Sequence, residues 1–103
     1  MDPIRSIYED DADMMEIVRE FASELPDRAR SAQELLESGD LEALRTLAHQ
    51  LKGAGGGYGF GEITDVAAAL ELAIKEGAEP AVIKDRTLLL VETLAAVVVS
   101  EAD

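Results

Sequence analysis

The chain is predicted to be all-α, an antiparallel up-down four-helix bundle, and three observations predict it. Apolar residues recur at intervals of three and four almost throughout, and no segment alternates with the period of a strand. The breaks in that period fall at residues that stop or start helices: Gly39 before Asp40, the glycines around Tyr58, and Gly77 before Pro80. The connections so defined are short, which makes successive helices antiparallel neighbours.

The first helix is expected over about residues 11–38. Its stripe of Met14, Val18, Phe21, Leu25, Ala29, Ala32 and Leu36 keeps its register across Pro26, so one long helix bent at the proline is expected rather than two. Gly39 stops it and Asp40 caps the next. The second helix carries Leu41, Leu44, Leu47, Ala48, Leu51 and Ala54 inward and fades near Gly56–Tyr58. A third begins around Glu62, turns Ile63, Val66, Ala67, Leu70 and Ile74 inward, and ends at Gly77. Pro80 suits the first turn of a fourth, whose apolar set runs from Val82 to Val99 and is assigned to the core, as are Met14 and Met15. Residues 3–8 are expected as a short leading turn or helix.

At 103 residues the sequence is read as one domain, residues 1–103, with enough length for one core. Two Phe, two Tyr and no Trp make that core aliphatic. The formal charge of -13 excludes the cationic footprint that nucleic acid or an anionic lipid surface requires. No cysteine means no disulfide and no thiolate metal site. The acidic start "MDPIRSIYEDDADMME" lacks the basic and apolar segments of a signal peptide. The most apolar stretch, Leu88–Val99, is interrupted by Glu92 and Thr93 and falls short of the ~20 residues of a membrane span. A cytoplasmic, monomeric protein is expected.

The segment "LAHQLKGAGGGYGFG", Leu47–Gly61, concentrates the unusual chemistry. It holds the single histidine, His49, and six of the eight glycines. At roughly 100° per residue, His49 points roughly 140° away from the apolar centre of its helix. Its helical neighbours are Arg45, Lys52, Gly53 and Gly56, two cations and two positions without side chains. A glycine inside a helix costs about 1 kcal/mol relative to alanine, so these are read as room left for another molecule to reach the ring. If the second and third helices pair about Phe60, His49 lies eleven residues before the turn and Glu71 eleven after it. A carboxylate there accepts a hydrogen bond from one ring nitrogen and leaves the other as an exposed nucleophile.

Rival chemistries fit less well. A nucleotide loop needs its lysine after the glycines and a strand before them, and Lys52 precedes them. The acidic run Glu9–Asp13 lacks the glycine and closing glutamate of a calcium loop and reads as a solvated helix start. No metal site is expected.

The stretch "AHQLKGAGGGYG", Ala48–Gly59, resembles the signature of histidine-containing phosphotransfer (HPt) domains, the relay modules of two-component signalling. The matching positions are His49, Leu51, Lys52, Gly53 and Gly59, and "AALE", Ala68–Glu71, is similar to the family's downstream segment. The resemblance implies that His49 exchanges a phosphoryl group with aspartates of response-regulator receiver domains, supplied through a histidine kinase or hybrid kinase. It implies that Lys52 stabilises the phosphoryl group, that Gly53 admits the receiver and that Glu71 orients the ring. Arg45 and Gly56 join Gly53 as receiver-binding positions, and Mg²⁺ belongs to the receiver. A phosphocarrier without turnover of its own is expected, free-standing in preference to the excised phosphorylatable domain of a chemotaxis-type or hybrid kinase. The rival from another class is an acidic helical adaptor that binds receivers without being phosphorylated.

Overall fold

Asp11 opens the first helix: its carboxylate accepts a hydrogen bond from the Met14 amide at 3.1 Å, satisfying one of the donors a helix start leaves unpaired. The computed structural model describes residues 1–99. Its four helices are α1 (Ala12–Ser38), α2 (Leu41–Gly57), α3 (Gly61–Lys75) and α4 (Pro80–Ala95). α1 runs unbroken through Pro26, as its continuous stripe predicts. It ends where Gly39 turns left-handed at φ 75° and its amide reaches back to the carbonyls of Leu35 and Leu36. Asp40 then caps α2 by accepting from the Ala43 amide at 3.1 Å.

The apolar stripes meet in one aliphatic core. Val18, Ala32, Leu44, Ala48, Phe60, Ile63, Ala67, Leu70 and Leu90 are wholly buried. α2 packs between α1 and α3, α3 against α4, and α4 back against α1, while α2 and α4 sit at opposite corners with no close backbone approach. Phe60, in the connection between α2 and α3, is itself fully buried. Burying a side chain of that size contributes about 1.5–3 kcal/mol, so the turn between α2 and α3 is pinned to the core rather than left as a loose loop. Phe21 of α1 stacks on Tyr58 with ring centroids 4.4 Å apart, closing the bundle over the same turn.

Two expectations are corrected at the chain ends. α4 stops at Ala95 instead of continuing its apolar run to Val99. Beyond it the backbone extends, and Val97 forms a parallel bridge with Ile4. The Ile4 amide donates to the Ala96 carbonyl at 2.8 Å, and the Val98 amide donates to the Ile4 carbonyl at 2.9 Å. Residues 3–8 therefore form no helix; the chain turns only at residues 7–10. The leading segment is a strap: the Ile7 amide donates to the Gly59 carbonyl at 3.0 Å, and the buried Ser6 hydroxyl donates to the Tyr58 carbonyl at 2.7 Å.

The face of α4 differs as well. Its buried stripe is Ile83, Thr87, Leu90, Thr93 and Leu94, whereas Val82, Leu88 and Leu89 are more than one-third exposed rather than core. The two threonines enter the core because each hydroxyl donates to the carbonyl one turn back, Thr87 to Ile83 and Thr93 to Leu89, both at 2.8 Å. Among the described residues no helix is long and apolar enough to cross a membrane.

Candidate functional site

The α2–α3 hairpin sets the site. Leu44, Leu47, Ala48 and Leu51 commit one face of α2 to the core, and His49, between them in sequence, faces outward with 65% of its side chain exposed. Closeness of the two helices comes from Gly55. A Cβ built there would lie 2.9 Å from Ile63 Cβ, closer than real Cβ atoms come, and 3.0 Å from the Thr64 amide nitrogen. The turn needs Gly59, whose φ of +84° is left-handed and whose missing Cβ makes room for the strap at Ser6. Four residues either side of Phe60, Gly56 and Thr64 face each other, and the Thr64 hydroxyl donates to the Lys52 carbonyl at 2.7 Å.

Eleven residues either side of Phe60 stand His49 and Glu71. Nδ1 of His49 lies 2.7 Å from Oε2 of Glu71. The other carboxylate oxygen, Oε1, accepts from Nζ of Lys52 at 2.5 Å. Glu71 is buried, its side chain 7% exposed, while the Lys52 side chain is 36% exposed. One inward carboxylate thus holds two outward groups from the neighbouring helix.

The hydrogen bond from Lys52 is the main reason the Glu71 carboxyl sits below its ordinary pKa; burial opposes the shift, and the contact with His49 adds to it. An ionised carboxylate has only acceptors to offer. The short contact therefore places a proton on Nδ1, and in the tautomer that this selects Nε2 carries the free lone pair.

The six residues singled out from the sequence separate into groups. His49, Lys52 and Glu71 are brought together. Gly53 faces open space, with nothing within 4 Å of where its Cβ would be. At Gly56 a Cβ would touch the Thr64 hydroxyl at 3.4 Å, an ordinary contact. Arg45 is not bonded to the ring or to Glu71; Glu42 holds its guanidinium at 2.7 Å and is the main cause of its raised pKa, with the more distant Glu71 contributing last. Sequence reasoning missed how closely α3 approaches Gly55, that Gly59 makes room for the strap and that Thr64 ties the two helices. Symmetry about Phe60, which points from Gly56 to Thr64, was the signal available for the last. Among the described residues no cluster of three or more His, Cys, Asp or Glu side chains is arranged to hold a metal ion.

The family model for the Hpt domain matches residues 16–98 of the 103. The chain belongs to the Hpt domain family. No curated protein and no solved structure matches it. Hpt domains are phosphocarrier modules of histidine phosphotransfer in two-component systems, where they interact with response regulators and histidine kinases. Four helices and a compact bundle agree with the Hpt assignment.

Proposed function

We propose that His49 is the phospho-acceptor, taking a phosphoryl group from the aspartyl phosphate of one receiver domain and passing it to the aspartate of another. The observation that carries this is the 2.7 Å contact between Nδ1 and a buried carboxylate on a ring otherwise open to solvent. The chain has one histidine, so a histidine phosphotransfer domain has one residue to use.

The step balances simply. The Nε2 lone pair attacks phosphorus, the N–P bond forms as the P–O bond to the receiver's aspartate breaks, and the aspartate leaves as a carboxylate. The proton on Nδ1 stays where it is, and the positive charge that develops on the ring is met by Glu71. Lys52, on the other oxygen of the same carboxylate, supplies a cation beside the incoming phosphoryl group. Phosphoryl transfer is mostly positioning and charge stabilisation, which a held imidazole and one ammonium provide. Gly53 and Gly56 leave the approach open, and Arg45, tethered to Glu42, lies one turn along the same face for an acidic group of the receiver. Mg²⁺ in this reading is held by the receiver's own carboxylates. The protein acts in the cytoplasm as a carrier: each phosphoryl group accepted must leave on another protein's aspartate.

The test is to mix the chain with a panel of receiver domains bearing radiolabelled aspartyl phosphate. The expected result is label on the chain that is acid-labile and alkali-stable, and none on His49→Gln. Label that persists in His49→Gln, acid-stable label, or no transfer from any receiver would overturn the assignment.

A further inference from the structure

The 13 excess negative charges are unevenly spread. In α4, Lys84 and Arg86 balance Asp85 and Glu92, so this helix has no acidic excess. α2 also has none, and there the cations belong to the site around His49. α4 stands at the opposite corner of the bundle, with no close backbone approach to α2, so the site does not account for it. Its outer surface is also apolar: Leu88 is 38% exposed, and Leu89 and Val82 are each 37% exposed.

Among the described residues the charges on this helix have no ion-pair partners. Elsewhere Arg5, Arg30 and Arg45 each pair with an acid three or four residues away. Lys84, Asp85, Arg86 and Glu92 form no ion pair among the described residues. Sequence explains why. One helical turn from each of them, in either direction, stand only Ala, Val, Ile, Leu, Thr87 or Pro80. Four charges are thus set among apolar side chains on a face that no other helix covers, with Met1 beside Glu92 and Ala95 at its C-terminal end.

We propose that this face of α4 pairs, antiparallel and about Leu88, with α4 of a second copy of the chain. Lys84 lies four residues before Leu88 and Glu92 four after, about 6 Å along the axis on either side. Antiparallel pairing about Leu88 brings Lys84 against the partner's Glu92 and Glu92 against the partner's Lys84. Leu88 meets its own equivalent at the centre. Ala81 and Ala95, each seven residues from Leu88, then face one another at the two ends, where their small side chains let the helices approach. Residues 81, 84, 88, 92 and 95 step by three and four and so share one face. Parallel pairing stacks like charge on like charge, so the pattern selects the direction. A point group with a two-fold axis closes on itself and builds no filament.

The association is weak and reversible. One helix face is smaller than the ~800 Å² per partner of a standard interface, and two acidic copies repel. At about 0.15 M salt the screening length is about 8 Å, which damps repulsion between distant acids more than attraction between pairs in contact. Because α2 is at the far corner, both His49 rings stay outward in the pair. The association is therefore independent of whether His49 is phosphorylated.

Sedimentation equilibrium of the full chain, up to about 1 mM in about 0.15 M salt, reads the self-association directly. A concentration-dependent monomer–dimer equilibrium is expected. Lys84→Glu and Glu92→Lys, each breaking two equivalent pairs, should weaken it about tenfold or more. The charge-swapped double variant should restore it, Leu88→Glu should abolish it, and His49→Gln should leave it unchanged. Circular dichroism of each variant confirms the fold, since all three α4 positions are exposed. A monomer across the whole range, a double variant no stronger than the singles, or a loss with His49→Gln overturns the proposal.

Discussion

Two glycines on one helix, two residues apart, should respond to alanine in opposite ways. A Cβ at Gly53 meets nothing within 4 Å, so Gly53→Ala gains only the helix preference, about 1 kcal/mol of stability. A Cβ at Gly55 would lie 2.9 Å from Ile63 Cβ, 3.0 Å from Ile63 Cγ2 and 3.0 Å from the Thr64 nitrogen. Two of those atoms, Ile63 Cβ and the Thr64 nitrogen, belong to or adjoin the backbone of α3, so no side-chain rotation clears them and the two helices must separate. Overpacking of this kind costs about 1–3 kcal/mol. The same helix preference offsets about 1 kcal/mol, leaving Gly55→Ala roughly 0–2 kcal/mol less stable than the parent. In a domain of this size each kcal/mol moves the melting midpoint by about 4–8 °C. Thermal unfolding followed by circular dichroism should therefore show Gly53→Ala melting above the parent and Gly55→Ala at or below it. Phosphotransfer to Gly55→Ala should also slow, because parting α2 from α3 stretches the contact between His49 and Glu71. If Gly55→Ala melted as high as Gly53→Ala, the close-approach argument would fail.

Three further outcomes follow from the shared carboxylate. Glu71→Ala removes the acceptor for Nδ1 and should slow rapid-quench transfer about ten- to a hundredfold, the equivalent of one charge-assisted hydrogen bond; Glu71→Gln, which keeps an acceptor but releases Lys52, should fall between. Imidazole nitrogen NMR should show Nδ1–H in the parent and a tautomer mixture in Glu71→Ala, and an unchanged tautomer at an unchanged rate would detach Glu71 from the mechanism. Lys52→Ala should melt near the parent yet transfer about tenfold more slowly, and equal rates would remove the ammonium from the step. Because the hydrogen bond from Lys52 lowers the Glu71 carboxyl below its ordinary pKa in the fold, its ionised form favours the folded state above the ordinary carboxylate range. That contribution is lost as pH falls through the lowered value. The stability difference between the parent and Glu71→Gln, measured by urea unfolding, should stay constant above about pH 5 and shrink in acid; a difference that grew in acid would reverse the assigned shift.

What could be read in advance was whatever the chain repeats or reflects locally. The stripe through Pro26 gave one α1, Gly39 and Asp40 gave the boundary between α1 and α2 to within a residue or two, and the hairpin centre gave the height of Glu71 against His49. The ends were illegible because their partners are far away in sequence. Ile4 and Val97 are joined by backbone hydrogen bonds that carry no residue code, and Val97–Val99 continue the apolar composition of α4 even though the chain there is extended. Spacing singles out Gly53 and Gly56 beside His49, but it does not show that Gly55 and Gly59 answer to Ile63 and to the strap. Local spacing says that a glycine is present; only the opposing element says why. Lys52 likewise looked free to meet an anion, since nothing near it in sequence shows that Glu71 already engages it.

The two halves of the acceptor are 22 residues apart and meet across a single connection. Loop closure over such a span is inexpensive in chain entropy, and contacts of short sequence separation form early. The pairing of Ile4 with Val97, by contrast, joins opposite ends of the molecule. Fraying of the termini should therefore leave the imidazole cradle standing, and amide exchange should find the hairpin closed while the strap has already opened.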